Sequence, residues 1–213
     1  MDRESGVALG ALEGDRTAGV AGYTAAGLGV VAAAALAVMF AVEKPRGGPY
    51  VFGAVNDFTG GLYYAATIPV IVQIHRRLPD GPASRTALAA VVTGSAAASA
   101  SGVLLSLHLI PFVPSTAVSI VGIVGQAVWT TATHHQLLDH GTYPRDLARA
   151  GRAIGLGMLA ALPLVGGGLA AGAAPELQRA LYGIGGALGG AAYLSWPLWF
   201  AAAGRRLRDS PVG

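Results

Sequence analysis

The sequence predicts an all-α fold, an integral membrane bundle of about six transmembrane helices. Charged residues make up 12% of the 213 residues and apolar residues 53%, whereas a soluble domain carries about 25% charged residues. Long segments contain no charge, and most Lys and Arg residues fall in alternate connections between these segments. The chain has no cysteine, which excludes disulfides, thiolate nucleophiles and cysteine-ligated metals.

The charge-free segments locate the spans, because a helix needs about 20 residues to cross the hydrocarbon core. Residues 86–138 contain no charged side chain and fit two helices, with a turn expected near Pro111 and Pro114. The predicted spans are about 18–42, 50–74, 86–110, 115–138, 153–173 and 179–203. We therefore expect a transmembrane domain at 18–204, between an N-terminal tail at 1–17 and a C-terminal tail at 205–213.

The positive residues predict the orientation, since cytoplasmic loops carry the excess of Lys and Arg. With six spans, the two tails and the second and fourth loops lie on one side, and that side carries all but three of the positive residues. The opposite side has only Lys44, Arg46 and Arg179. This distribution predicts a multi-pass protein of the cell (inner or plasma) membrane with both termini in the cytoplasm.

Small residues at helical spacing predict where the helices touch, because lipid-embedded helices associate through close backbone contact. The pairs are Gly185 with Gly189, Gly186 with Gly190, and Gly151 with Gly155. Such Gly-rich faces could also hold a homo-oligomer. The aromatic residues at the end of the sixth span are interpreted as an interfacial belt; they are Tyr193, Trp196, Trp199 and Phe200.

Asp57 is the strongest candidate for a functional residue, because a carboxylate within a span costs a few kcal/mol or more on insertion scales. It lies beside Asn56, and Tyr63 and Tyr64 follow on the same helix. The helical spacing of Asn56 and Tyr63 indicates a polar stripe that faces protein or water. In the alternative interpretation Asp57 is hydrated at the headgroups, since two helical turns are only about 10 Å deep.

Two further titratable residues, His108 and Glu43, fall at a depth similar to that of Asp57 in the predicted topology. A carboxylate, an imidazole and a second carboxylate at one depth could exchange protons, so all three are predicted as catalytic residues. Depth alone does not make their helices neighbours. His108 could instead be a hydrogen-bonded packing residue.

The fourth span carries a second polar stripe, which includes Gln126, Trp129 and His134. Together with Asn56 and the two tyrosines of the second span, Gln126 and Trp129 are predicted to bind the substrate. His134 and His75 could hold a haem or a metal ion, but nothing in their spacing defines a coordination geometry. We expect no metal and no cofactor.

These features favour a membrane-embedded enzyme that performs acid–base chemistry on a lipophilic small molecule. The expected substrate is isoprenoid- or lipid-like, the expected reaction a cyclisation or isomerisation, and the expected partners are the bilayer and this molecule. One alternative is a subunit of a proton-coupled small-solute transporter, with Asp57 as the coupling group. A second is a membrane sensor or partner protein without catalysis. A nucleic-acid partner is not expected, because the small positive excess is confined to a few loops.

Overall fold

The structure is a computed structural model that describes the backbone of residues 3–170 and 174–209 and the side chains of residues 14–168 and 174–209. Within these ranges the chain is all-helical, which confirms the predicted fold class. The six helices are α1 (Arg3–Val38), α2 (Val51–His75), α3 (Pro82–Ser106), α4 (Phe112–His140), α5 (Arg145–Ala170) and α6 (Pro175–Asp209).

The helix ends differ from the predicted span ends by several residues. Helix α3 begins and ends four residues earlier than expected, because Pro82 occupies its first turn and a left-handed turn closes it after Ser106. Helix α1 continues through a π-helical turn, Met39–Glu43, and a 3-10 turn, Lys44–Arg46. Charge gaps mark only the apolar part of a helix, so α1 and α6 extend into the segments predicted as tails.

Each helix packs antiparallel to its neighbours in the chain, and α6 closes the ring by packing against α1. The α1–α2 and α3–α4 connections therefore share one end of the bundle, here called the Lys44 end. The α2–α3 and α4–α5 connections share the other, called the Arg77 end, with the beginning of α1 and the end of α6. An ion pair of 2.9 Å between Arg77 Nη2 and Asp15 Oδ2 joins α1 to the α2–α3 connection at this end.

Glycines allow the helices to approach closely around the ring. A Cβ added at Gly22 of α1 would lie 2.8 Å from Gly204 Cα of α6. The predicted pair Gly185 and Gly189 faces α5, where added Cβ atoms would lie 2.9–3.0 Å from side chains, as expected for a packing contact. The other predicted pair of α6, Gly186 and Gly190, has no such neighbour within 4 Å.

Four of the described helical segments are long and apolar enough to cross a membrane, which indicates a membrane protein. They are Gly14–Arg46, Pro82–Ser106, Phe112–His140 and Arg145–Gly168. Large apolar side chains are also exposed on the outside of all six helices, as a bilayer-facing surface requires. Examples from α1 to α6 in order are Val30, Phe58, Leu104, Val121, Leu162 and Leu198.

The interpretation of the α6 aromatic residues as an interfacial belt is wrong. Trp196, Trp199 and Phe200 are buried inside the bundle. The ring of Phe200 packs edge-on against Tyr63 of α2 at 5.8 Å between centroids. Composition at a helix end gives depth but not the direction in which the side chains point, and here they point inward.

Candidate binding cavity

A cavity of about 770 Å³ lies in the half of the bundle near the Lys44 end. Its volume falls within the range of roughly 300–1,000 Å³ that is usual for small-molecule sites. Helices α1, α2, α3, α4 and α6 contribute lining residues, and a Cβ added at the lining residue Gly60 would meet no atom within 4 Å. Lys44, from the 3-10 turn after α1, also belongs to the lining.

Four of the predicted site residues on α2 line this cavity: Asn56, Asp57, Tyr63 and Tyr64. The side chain of Asp57 is partly exposed, and its Oδ1 accepts a hydrogen bond from Asn56 Nδ2 at 3.2 Å. The two tyrosine rings lie deeper, edge to face at 5.8 Å. The cavity wall therefore carries one carboxylate, and aromatic rings line the part of the wall that lies farther from the Lys44 end.

His108 also lines the cavity, but not from within a helix as predicted. It follows the end of α3 in the left-handed conformation, with φ of 57°. Its N–H donates to Leu105 O, and the N–H of Leu109 donates to Leu104 O, both at 2.9 Å. This is a Schellman closure, in which glycine usually occupies the left-handed position. The turn places the exposed imidazole on the cavity lining at the Lys44 end of the bundle.

Glu43 is not among the cavity-lining residues; it caps helix α2. Its carboxylate accepts hydrogen bonds from the N–H of Phe52, at 3.0 and 3.1 Å, and from the N–H of Gly53, at 3.3 Å. The first N–H groups of a helix have no partner within the helix, and its N-terminus attracts negative charge. Glu43 therefore stabilises the start of the helix that carries Asp57.

We expect Glu43→Ala to lower the free energy of unfolding by about 1–3 kcal/mol, because the partly buried N–H of Phe52 and the buried N–H of Gly53 lose a charged acceptor. Glu43→Gln keeps one acceptor oxygen and should lose less than half as much. Thermal unfolding of the detergent-solubilised protein, followed by circular dichroism, measures both changes. An alanine variant as stable as the parent would show that these hydrogen bonds do not hold α2.

The two predicted site residues of α4, Gln126 and Trp129, do not line the cavity. They lie nearer the Arg77 end, where their side chains connect α4 to other helices. Gln126 Nε2 donates to Thr67 Oγ1 of α2 at 2.9 Å and to Ser95 Oγ of α3 at 2.8 Å. Trp129 Nε1 donates to His75 Nδ1 at 3.2 Å. Hydrogen bonds between polar side chains are a common way to hold membrane helices together.

The histidines of this region are engaged with neighbouring protein groups. His75 Nε2 lies 2.9 Å from Ser84 O, and because Nδ1 accepts from Trp129, Nε2 is the nitrogen that donates. His134 Nδ1 lies 2.7 Å from Thr130 O. No group of three or more His, Asp or Glu suited to a metal ion occurs among the residues that the structure describes.

Sequence reasoning missed several lining residues, chiefly Tyr193, Trp196 and Pro197 of α6. Their spacing of three and four residues places them on one helix face, and this spacing was the available signal. It does not reveal which partner the face meets. Comparisons of the chain with protein-family models, with curated proteins and with solved structures gave no match.

Proposed function

We propose that the protein is a membrane-embedded enzyme that performs acid–base chemistry on a lipophilic small molecule held in this cavity. The observation that carries the proposal is the carboxylate of Asp57 on the wall of a cavity lined mainly by apolar and aromatic residues. A carboxylate in such surroundings is suited to giving or taking a proton. An isoprenoid- or lipid-like substrate matches the apolar lining, and a cyclisation or isomerisation needs no second substrate.

The residues around Asp57 suggest a division of roles. Asn56 orients the carboxylate through its hydrogen bond. Tyr63 and Tyr64 contact the body of the substrate in the lower part of the cavity. His108 is exposed and also lines the cavity, and such a histidine is suited to exchange protons with solution. In this scheme Asp57 is the catalytic group, and His108 restores its protonation state between turnovers.

The same proposal places all six helices across the cell membrane with the Arg77 end in the cytoplasm. Two features support this orientation: the antiparallel ring gathers the tails with the second and fourth loops, and these segments carry most of the Lys and Arg residues. Helices α2 and α6 are not among the four apolar segments, and each places a polar residue on the cavity wall, Asp57 on α2 and Tyr193 on α6. In this orientation the cavity lies in the half of the bundle away from the cytoplasm.

Gly60 offers a direct test of whether the cavity is the active site. Gly60 lines the cavity, and a Cβ added there meets no atom within 4 Å, so a leucine side chain can extend into the cavity one helical turn from Asp57. We expect Gly60→Leu to abolish turnover. Gly125→Leu is the matched control, because Gly125 is equally open but lies on the exposed outer face of α4.

The assay incubates the protein in lipid nanodiscs with a total lipid extract and uses chromatography with mass detection. An isomerisation or cyclisation yields a product of unchanged mass and shifted retention time. The parent and Gly125→Leu should form this product, while Asp57→Asn should form it at least about 100-fold more slowly. The proposal fails if the parent forms no such product beyond empty nanodiscs, or if Gly60→Leu is as active as the parent.

A further inference from the structure

Within the described part of the bundle, the carboxylate of Asp57 forms no ion pair. Among the residues that the structure describes, no Lys, Arg or His nitrogen lies within 4.0 Å of it. The hydrogen bond from Asn56 contributes a neutral donor only. An ionised carboxylate in an apolar wall is costly unless a cation compensates its charge. A cation on the bound molecule would supply the missing partner.

The two cationic residue types on the cavity lining, Lys44 and His108, lie nearer the Lys44 end than Asp57 does. Gly53 of α2 packs against Met39, and Lys44 follows Met39 toward that end. Lys44 Nζ lies 4.8 Å from the centroid of the Phe40 ring. Gly102 packs against the backbone of Asp57, and His108 follows Gly102 toward the same end.

The aromatic residues below Asp57 also favour a cation. Tyr63, Tyr64, Tyr193 and Trp196 line the deeper part of the cavity. The faces of such rings attract positively charged groups through their quadrupoles, and the same rings pack well against apolar groups. A molecule with an ammonium group beside Asp57 and an apolar body among these rings would match both features of the wall.

We infer that the cavity binds a lipophilic amine, with its protonated amino group paired to the carboxylate of Asp57 and its apolar body among the aromatic residues. This inference rests on the proposed function and names the class of its ligand.

The test compares octylamine with 1-octanol, a neutral molecule with the same alkyl chain. Binding is followed by tryptophan fluorescence in phosphatidylcholine nanodiscs at pH 7, with empty nanodiscs as the partitioning blank. We expect Asp57→Asn to weaken octylamine binding by about 10- to 100-fold, the range of a charge-assisted hydrogen bond. Binding of 1-octanol should change by less than about twofold. Circular dichroism and gel filtration verify that the variant is folded.

Gly60→Leu separates this inference from the proposed function. Suppose that Gly60→Leu prevents both probes from binding while Asp57→Asn leaves octylamine binding unchanged. The cavity is then a binding site, but the inference that it binds an amine through Asp57 is overturned. Equal loss of both probes in Asp57→Asn also overturns it, because Asp57 would then shape the cavity rather than pair with a charge. If neither probe binds the parent, or Gly60→Leu binds both normally, the cavity itself is not a binding site.

Discussion

Replacing Gly22 by leucine is expected to separate α1 from α6 and to lower the free energy of unfolding by about 3 kcal/mol or more. A Cβ at this position would lie 2.8 Å from both the Cα of Gly204 and the carbonyl oxygen of Phe200. These are backbone atoms, which cannot rotate away as a side chain can. The two helices must therefore move apart along their whole contact.

Gly27→Leu is the matched control for this prediction. Gly27 lies on the same helix but is exposed, and an added Cβ there meets nothing within 4 Å. Leucine has a higher helix propensity than glycine by somewhat less than about 1 kcal/mol, so this variant should be at least as stable as the parent. Denaturant unfolding in detergent measures both. Equal stability of the two variants would show that the α1–α6 contact does not hold the bundle closed.

Trp199→Ala is expected to cost about 3–5 kcal/mol, the usual cost of removing a large buried aromatic side chain. Trp199 is 3% exposed and belongs to α6. Its Nε1 donates to Leu147 O of α5 at 3.0 Å, and its ring packs edge-on against His134 of α4 at 4.9 Å between centroids. One side chain thus joins three helices near the Arg77 end. Trp199→Phe keeps an aromatic ring and should cost less.

The neighbouring residue Leu198 separates the role of burial from that of side-chain size. Leu198 is 65% exposed and faces away from the bundle, so Leu198→Ala should change the free energy of unfolding by less than about 0.5 kcal/mol. Thermal unfolding by circular dichroism compares the two alanine variants. If Leu198→Ala lowers stability as much as Trp199→Ala, the packing around Trp199 is not what joins α4, α5 and α6.

The sequence predicted depth along the helices well. Charge gaps located six helices, and Asp57 and His108 both line the cavity, with His108 nearer the Lys44 end. Depth also correctly put Tyr63 and Tyr64 on the same helix below the carboxylate. These features depend on position along an axis, which residue number sets directly.

Rotation about the helix axis and the choice of neighbours were not predictable in the same way. Glu43 and Lys44 are adjacent in sequence, yet one caps α2 and the other lines the cavity, because the π-helical turn and the 3-10 turn alter the local winding. Trp196 turns inward because α6 meets α1 and α5, and that contact depends on closure of the ring. The pattern of a single sequence does not reveal how a helix is rotated about its axis or which helices it contacts.

The closed ring has a consequence for biosynthesis. Neighbouring helices can pair as hairpins while the chain is being made, since each contacts the one before it. The contact of Gly22 with Gly204 joins the first helix to the sixth and must wait until α6 has emerged. The cavity also lacks the wall formed by Tyr193 and Trp196 until then. The cavity is therefore complete only after the sixth helix has been synthesised, and a ribosome-bound intermediate with five helices lacks this wall.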